Sequence, residues 1–357
     1  MSDNAKQPRV TFGQPASGAD IARHLAAAQA GSQAEFATLT EPHRRELLTH
    51  CYRMLGSLQD AEDLVQETFL RAWRRLDTYE GRASFRAWLY KIATNACLDA
   101  LDRRPKRTLP TALHAAADPG DPILSPIIEP IWLEPFPDEL FDPPDVGPEA
   151  RYDTRESVTL AFLVALQVLP PRQRAVLILC DVLDWHAREA AELLELTVSA
   201  VSSLLHRART TLAKRYRARS RDAIRTTPPD SVITVLLHRY VRAWEMAYVD
   251  ELVSLLKEDA RFLMPPIPSW YQGRAAIRAF ISAMILAGDA VDRWRLQPVH
   301  ANAQPGFAWY QRNEMGGSYH AYAIQVLAFD GNLLADITTF CDSALFPHFG
   351  LPLERKA

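Results

Sequence analysis

The 357 residues leave room for two or three domains, and a composition of 48% hydrophobic and 23% charged residues argues against wholesale disorder. No stretch of about 18 apolar residues is present, which excludes a membrane-spanning helix, and the N-terminal MSDNAKQPRVTFGQP lacks the apolar core of a secretory signal, so the expected location is the cytoplasm. The net charge of −3 averages over blocks of opposite sign, while Cys51, Cys97, Cys180 and Cys341 lie too far apart for a metal motif, so they read as small core residues and no metal or cofactor is expected.

In chain order, a polar tail (1–19) precedes a helical segment (20–104) almost free of proline. Eleven prolines then crowd residues 105–148. That density cannot propagate a helix or a central strand, so the stretch reads as a linker with little regular structure. Residues 149–222 are helical again. Past Pro228 and Pro229, residues 229–347 open with an amphipathic helix and continue in short aromatic and β-branched runs, an α+β pattern, and 348–357 read as a tail. Charge follows these divisions. Residues 71–107 carry ten Arg or Lys against four acids, 118–156 carry eleven acids against two bases, and 205–225 carry eight bases against one acid. Two basic helical blocks joined by an acidic linker match the electrostatic footprint of phosphate-backbone binding.

Within residues 58–76, Ala61, Val65, Thr68 with Phe69, Ala72 and Leu76 recur every three or four positions and form one buried stripe. Asp60, Asp63, Gln66 and Glu67 fall on the other side, a mostly acidic strip that suits docking on a basic partner. Further on, Ser84 is placed to cap a helix, and Tyr79, Phe85, Trp88 and Tyr90 alternate with Arg82, Arg86 and Lys91. Rings offer stacking surfaces to unpaired bases, and cations hold phosphates. Trp88, with Leu89 and Ile92, also fits a buried stripe.

The strings DAEDLVQETFLRAW and FRAWLYKIATNACLDALDRR resemble region 2 of the bacterial sigma-70 family, in particular its extracytoplasmic-function (ECF) group. The resemblance implies that the first segment docks on the clamp helices of the RNA polymerase β′ subunit and that the second opens and reads the −10 promoter element. It assigns Asp60, Asp63, Gln66, Glu67 and Leu70 to polymerase binding. It assigns Arg82, Ser84, Phe85, Trp88, Lys91 and Asn95 to the −10 element.

In residues 169–215, Pro170-Pro171 suits a helix start, Ala187–Leu194 reads as a short helix, and Glu195-Leu196-Thr197 is a tight turn with Thr197 capping the next helix. Val201, Leu204, Leu205, Ala208 and Leu212 form that helix's buried stripe. Ser199, Ser202, Ser203, His206, Arg207 and Arg209 make its other face. This is a helix–turn–helix whose second helix would enter the major groove. It resembles sigma region 4, although the family often has Gly in the turn where this chain has Glu195. The resemblance implies −35 contacts from Arg188, Thr197, Ser199, Ser202, Ser203, His206, Arg207 and Arg209, and a second polymerase contact at the β flap. His206 has no partner at metal-ligand spacing. The acidic linker would run through polymerase channels shaped for nucleic acid and mimic its charge, with the more apolar Ile131–Pro137 able to pack on the last domain.

That last block reads as a helix over 231–248, a second over 251–257, a strand ending at Met264, a loop from Trp270 opening a third helix, then strands at Ala308–Tyr310, Tyr319–Phe329 and Leu333–Phe340. Gln304-Pro305-Gly306, Gly316-Gly317 and Asp330-Gly331 are turn signals. The order resembles the SnoaL-like, NTF2-like cone fold, an extension carried by one subgroup of ECF sigma factors. Such a cone usually encloses an apolar pocket, for which Trp244, Tyr248, Phe262, Met264, Trp270, Tyr271, Trp309 and Tyr322 are candidate lining residues. Asp289, His300, His320 and Asp336 are available as acids or bases, but no spacing marks a dyad.

The expected fold is therefore multidomain: two all-α domains (a region 2 helical bundle and a region 4 helix–turn–helix) joined by a Pro-rich linker, plus a C-terminal α+β NTF2-like (SnoaL-like) cone domain. The expected function is that of a sigma factor, a non-enzymatic subunit that binds core RNA polymerase and promoter DNA, with the last domain modulating it. A small-molecule ligand and an anti-sigma protein are further candidate partners. The alternative is a stand-alone ligand-sensing helix–turn–helix regulator, which would not need the acidic strip at Asp60–Glu67. A cone-fold enzyme with DNA-binding appendages is the third reading.

Overall fold

A computed structural model describes residues 18–103, 105–129, 131–141, 158–220, 229–313 and 316–356. Most of the expected N-terminal tail and residues 142–148 of the linker lie outside these. The first helical unit comprises α1 (Gly18–Gln29), α2 (Gln33–Thr40), α3 (Arg44–Leu55), α4 (Leu58–Arg74) and α5 (Phe85–Leu101). Local chemistry sets its boundaries. Ser57 caps α4 by accepting from the Asp60 N–H at 3.1 Å, and Ser84 caps α5 by accepting from the Ala87 N–H at 3.1 Å. Gly56 ends α3 at φ 74°, the left-handed conformation glycine adopts without cost. The expected stripe of α4 is buried at Ala61, Val65, Thr68 and Ala72, against Leu47, Cys51 and Met54 of α3 and Leu89 and Ala93 of α5.

The second helical unit comprises α6 (Leu160–Val168), α7 (Pro171–Leu177, continued by a π-helical turn Ile178–Val182), α8 (Ala187–Leu194) and α9 (Val198–Ser220). It is joined to the first by Arg174, whose guanidinium is almost wholly buried. Its Nη1 donates to the Met54 carbonyl at the end of α3 and to Gln167 Oε1. Its Nη2 donates to the carbonyls of Gln167 and Leu169. Burial lowers the pKa of this guanidinium to about 10.

The last unit is one sheet with helices on its inner face: α10 (Asp230–Glu245), α11 (Val249–Ser254), β1 (Leu256–Met264), β2 (Ile267–Gln272), α12 (Arg274–Phe280), β3 (Trp294–Ala301), β4 (Gln304–Arg312), β5 (Ser318–Asp330), β6 (Leu333–Phe340) and β7 (Glu354–Lys356). The strand order is β2-β1-β6-β5-β4-β3, with β7 on β5. All pairs are antiparallel except β1 with β6. Phe262, Phe307, Trp309, Leu327 and Ile337 form the inner core with Tyr240 and Trp244 of α10 and Phe280 of α12. The outer face (Leu263, Trp270, Tyr310, Ile324, Val326, Phe340) joins the same apolar cluster as the helical units.

Three expectations need correction. Trp270 and Tyr271 lie on strand β2, not in a loop. Pro268 obscured it, but β2 is an edge strand, where proline's missing donor is tolerated. Gln304-Pro305-Gly306 opens β4, and the turn lies earlier, at Asn302 and Ala303, both at positive φ. The terminal residues are not a free tail, because Ser343–Phe349 forms a 3-10 helix and β7 pairs with Ser318, Tyr319 and His320.

The described part of the linker is a strap. It lies along the open edge of β2, where the Ala117 N–H donates to the Trp270 carbonyl (2.8 Å), the Leu124 N–H to Ser269 Oγ (3.0 Å) and the Ile127 N–H to the Pro266 carbonyl (3.0 Å). It then returns, with Thr108 bridged to Trp132, and buries Trp132, Leu133 and Phe136. Phe136 packs on Tyr52 of α3 with ring centroids 4.6 Å apart. Ile131–Pro137 thus meets the first helical unit as well as the last domain.

Candidate nucleic-acid interface

Gln59, Asp63, Gln66, Leu70 and Arg74 make one solvent-facing stripe on α4, opposite the buried one. Leu70 is 52% exposed. Of the five residues expected to face polymerase, Asp63, Gln66 and Leu70 share this stripe. Asp60 and Glu67 flank it and already hold cations: Asp60 pairs with Arg107 at 2.5 Å, and Glu67 accepts from Arg71 Nε at 2.7 Å. On the flank, Glu62 lies 3.5 Å from His348, which brings the C-terminal segment beside α4.

The acids of the linker are partly committed internally. Glu134 Oε2 accepts the N–H groups of Leu58 (2.8 Å) and Gln59 (3.2 Å), and its Oε1 accepts from Ser57 Oγ (2.9 Å) and Arg107 Nη1 (3.2 Å). A carboxylate therefore sits at the N-terminus of α4, where the helix dipole favours negative charge. Asp138 Oδ1 accepts the Ala303 N–H at 2.8 Å.

Tyr79, in the loop before α5, forms a ring cluster with Phe85 and Trp88 of α5, with centroids 5.1–5.6 Å apart. Phe85 is buried at its centre, so it supports the cluster instead of offering a free stacking face. The Tyr79 hydroxyl donates to the Ala83 carbonyl and closes the loop before the helix. Arg82 is exposed and pairs with Glu80; Asn95 is exposed. The other side of α5 meets the second helical unit. Lys91 Nζ lies 2.9 Å from Glu195 Oε1. The rings of Tyr90 and Trp185 are 5.3 Å apart, with the Arg86 guanidinium over both and donating to Glu46 at 2.7 Å. Burial pushes the Glu46 carboxyl up, but the His43 hydrogen bond and the Arg86 charge outweigh it and hold it below the usual range. Lys91, expected on DNA, thus rests on the turn of the helix–turn–helix.

That turn is Glu195 at φ 55°. Its carboxyl pKa is lowered by the hydrogen bond and charge of Lys91. Thr197 Oγ1 caps α9 by accepting from the Ala200 N–H at 3.2 Å. Ser199, Ser202, Ser203, His206 and Arg207 are exposed, and the last four line an open surface recess. Arg188 is exposed beside Glu192. Arg209 departs from its expected role: its fork is spent on Asp181, at 2.9 and 2.6 Å, and braces α9 against the turn after α7.

The residues expected to line a pocket in the last domain mostly pack against one another. Trp244 and Trp309 meet edge to face at 4.6 Å, and Trp294 meets Trp309 at 5.3 Å. Phe262 and Tyr271 pack on Phe280, and Met264 is buried. Trp270 points to the other side of the sheet and donates its Nε1 to the His114 carbonyl at 2.9 Å. Strand alternation separates it from Tyr271. Tyr248 and Tyr322 alone of the set reach the surface. Asp336 is held bidentately by Arg261 at 2.6 Å; Asp289 and His300 are exposed; His320 contacts Asn313. Among the described residues, no cluster of three His, Cys, Asp or Glu side chains could hold a metal.

Sequence reading missed the joint between the units. Asn302, fully buried, donates Nδ2 to the Tyr52 hydroxyl (2.8 Å) on α3 and to the Val158 carbonyl (2.8 Å) just before α6. It also exchanges two hydrogen bonds with the Phe136 backbone, at 3.0 and 2.9 Å. Asn302-Ala303 is recognisable as a turn pair, but nothing local points to Tyr52.

Three protein-family models match: sigma-70 region 2 over residues 39–107, sigma-70 region 4 over 159–212, and a SnoaL-like domain over 237–337. The ECF RNA polymerase sigma factor SigG of Mycobacterium tuberculosis is 46% identical over 320 residues, 89% of this chain and 84% of that protein. The ECF sigma factor SigW of Bacillus subtilis is 29% identical over 199 residues, 55% of this chain and 97% of that protein. The crystal structure of the M. tuberculosis ECF sigma factor SigJ superposes with a TM-score of 0.57 at 20% identity, covering 89% of this chain and 99% of that one, which is a likeness of fold.

Proposed function

Because the chain belongs to the extracytoplasmic-function group of RNA polymerase sigma factors, we propose that it docks on core polymerase through the Asp63–Gln66–Leu70 stripe of α4, engages the −10 element with α5 and its ring cluster, and reads the −35 element with the exposed face of α9. The observation that carries this reading is the α4 stripe. A half-exposed leucine flanked by an acid and an amide, on a helix otherwise anchored in the core, is a docking surface. A stand-alone helix–turn–helix regulator has no use for it. On α9, the exposed hydroxyls, His206 and Arg207 suit groove and phosphate contacts.

The last domain acts as a regulator in this reading, not as an enzyme. Its interior is a packed aromatic core, and Asp336 is committed to Arg261.

The test is in vitro transcription with purified core polymerase on a genomic promoter library, using the full chain and its Leu70→Glu variant. Promoter-specific transcripts that need both proteins and are lost in the variant support the proposal. Core-independent binding of the full chain to duplex promoters, with no transcripts, would establish the stand-alone regulator instead.

A further inference from the structure

We infer that Asn302 is a positioning residue for the two promoter-reading modules: it holds them in a closed arrangement in which α8 covers one side of α5, and its release exposes that side to DNA. The inference rests on the proposed role of α5 for its consequence, but not for its geometry.

Asn302 is the one side chain described above whose hydrogen bonds reach both helical units and the linker. Its amide donates to α3 through Tyr52 and to the start of the second unit through Val158, and it is paired to the linker backbone at Phe136. The next polar residue repeats the attachment: Gln304 Oε1 accepts the Leu160 N–H at the head of α6. Both Asn302 and Ala303 adopt positive φ. For Asn this is accessible, but Ala303 departs from its ordinary preference. The turn is held there by its contacts, since Asp138 and Phe136 pair with its backbone. The far side of the closed arrangement is the Tyr90–Trp185–Arg86 stack and the Lys91–Glu195 pair. As long as these hold, Lys91 faces Glu195 and not a phosphate. A state that binds DNA through α5 must break that contact, so the fraction of open chains limits the apparent affinity.

The experiment uses the full chain with nitroxide labels on cysteines placed at exposed Asp102 and Glu192, with Cys180 and Cys341 changed to Ser and the buried Cys51 and Cys97 retained. Pulsed electron resonance reads the spacing of the units, and fluorescence anisotropy reads binding of a single-stranded A/T-rich oligonucleotide. The parent is expected to show one short distance. Asn302→Ala should add a longer population and raise oligonucleotide affinity about fivefold or more, in proportion to the open fraction. Asn302→Asp, which keeps an acceptor for the Phe136 N–H but sets a buried carboxylate against the Val158 carbonyl, should open the chain at least as far as Asn302→Ala. Trp185→Ala weakens the closed arrangement from the opposite side and should act in the same direction, which keeps the test decisive if Asn302→Ala fails to fold. Variants that melt earlier yet keep a single short distance would overturn the inference. Longer distances without tighter oligonucleotide binding would uphold the positioning role and overturn the reading of α5 as a DNA-contacting helix.

Discussion

Glu134 lies in the proline-rich strap, yet it is wired into the first turn of α4, so its removal should unravel the end of the helix proposed to dock on polymerase. Its carboxylate accepts two backbone N–H groups, one hydroxyl and one guanidinium N–H. Losing a side-chain cap costs about 1 kcal/mol, and charged acceptors are roughly twice as strong as neutral ones. Arg107 keeps Asp60 as a partner, so its charge is not stranded. Glu134→Ala should therefore destabilise the chain by about 2–3 kcal/mol, and Glu134→Gln, which keeps an acceptor without the charge, by roughly half that. At about 2 °C per kcal/mol for a chain of this size, the alanine variant should melt about 4–6 °C lower in calorimetry. Hydrogen exchange should locate the loss at the Leu58 and Gln59 amides. Glu129→Ala, at an exposed strap position, serves as the control. A change below about 0.5 kcal/mol with unaltered exchange at those amides would refute the reasoning.

Further outcomes follow from other contacts. Burial, reinforced by the Arg53 charge, lowers the His50 pKa to about 3, against about 6.5 in an unfolded chain; the unfolded state binds the extra proton, so stability is full above pH 6.5 and should drop by about 2 kcal/mol on reaching pH 5. His50→Gln should flatten that part of the urea-midpoint profile. Gly56→Ala imposes a left-handed φ on a residue whose β-carbon would clash with Leu133 Cδ2, and should cost about 2–4 kcal/mol by denaturant titration; Leu133→Ala in the same chain should recover only the steric part. Arg207→Ala should weaken holoenzyme binding to −35 duplexes of any sequence and reduce the salt slope by about 1. Arg209→Ala, with its fork already on Asp181, should leave that slope unchanged.

Much of the architecture is legible from periodicity and punctuation. The buried stripes of α4 and α9, the Ser84 and Thr197 caps and the Asp330-Gly331 hairpin all follow from side-chain spacing and turn chemistry, which are local. What stayed hidden is what depends on distant partners. Proline density argues against a helix or central strand over 105–148, and the described residues there include the 3-10 turns Pro110–Ala112 and Asp138–Leu140; it says nothing about packing, and the strap is held by backbone bonds to β2 and by Glu134. Lys91 and Arg209 read as phosphate ligands because charge on a helix face does not reveal which acid lies opposite. Trp244 and Trp309 read as pocket walls because the resembled cone fold usually encloses a pocket, whereas in this chain the two rings pack on each other. Fold-level resemblance supplied the modules, whereas the joint at Asn302 is a property of this chain's tertiary contacts.

The bond from Asn302 to Tyr52 spans 250 residues of sequence, and that separation has a meaning for how the protein is made. At about 5–20 residues per second, roughly 12–50 seconds of synthesis separate the two partners. Once Leu101 has cleared the exit tunnel, the first helical unit is outside the ribosome for the rest of that interval, while the turn that fastens it does not yet exist. The nascent chain thus carries an unfastened promoter-reading module before the finished chain carries a fastened one, and the order of translation alone supplies a time window in which the two differ.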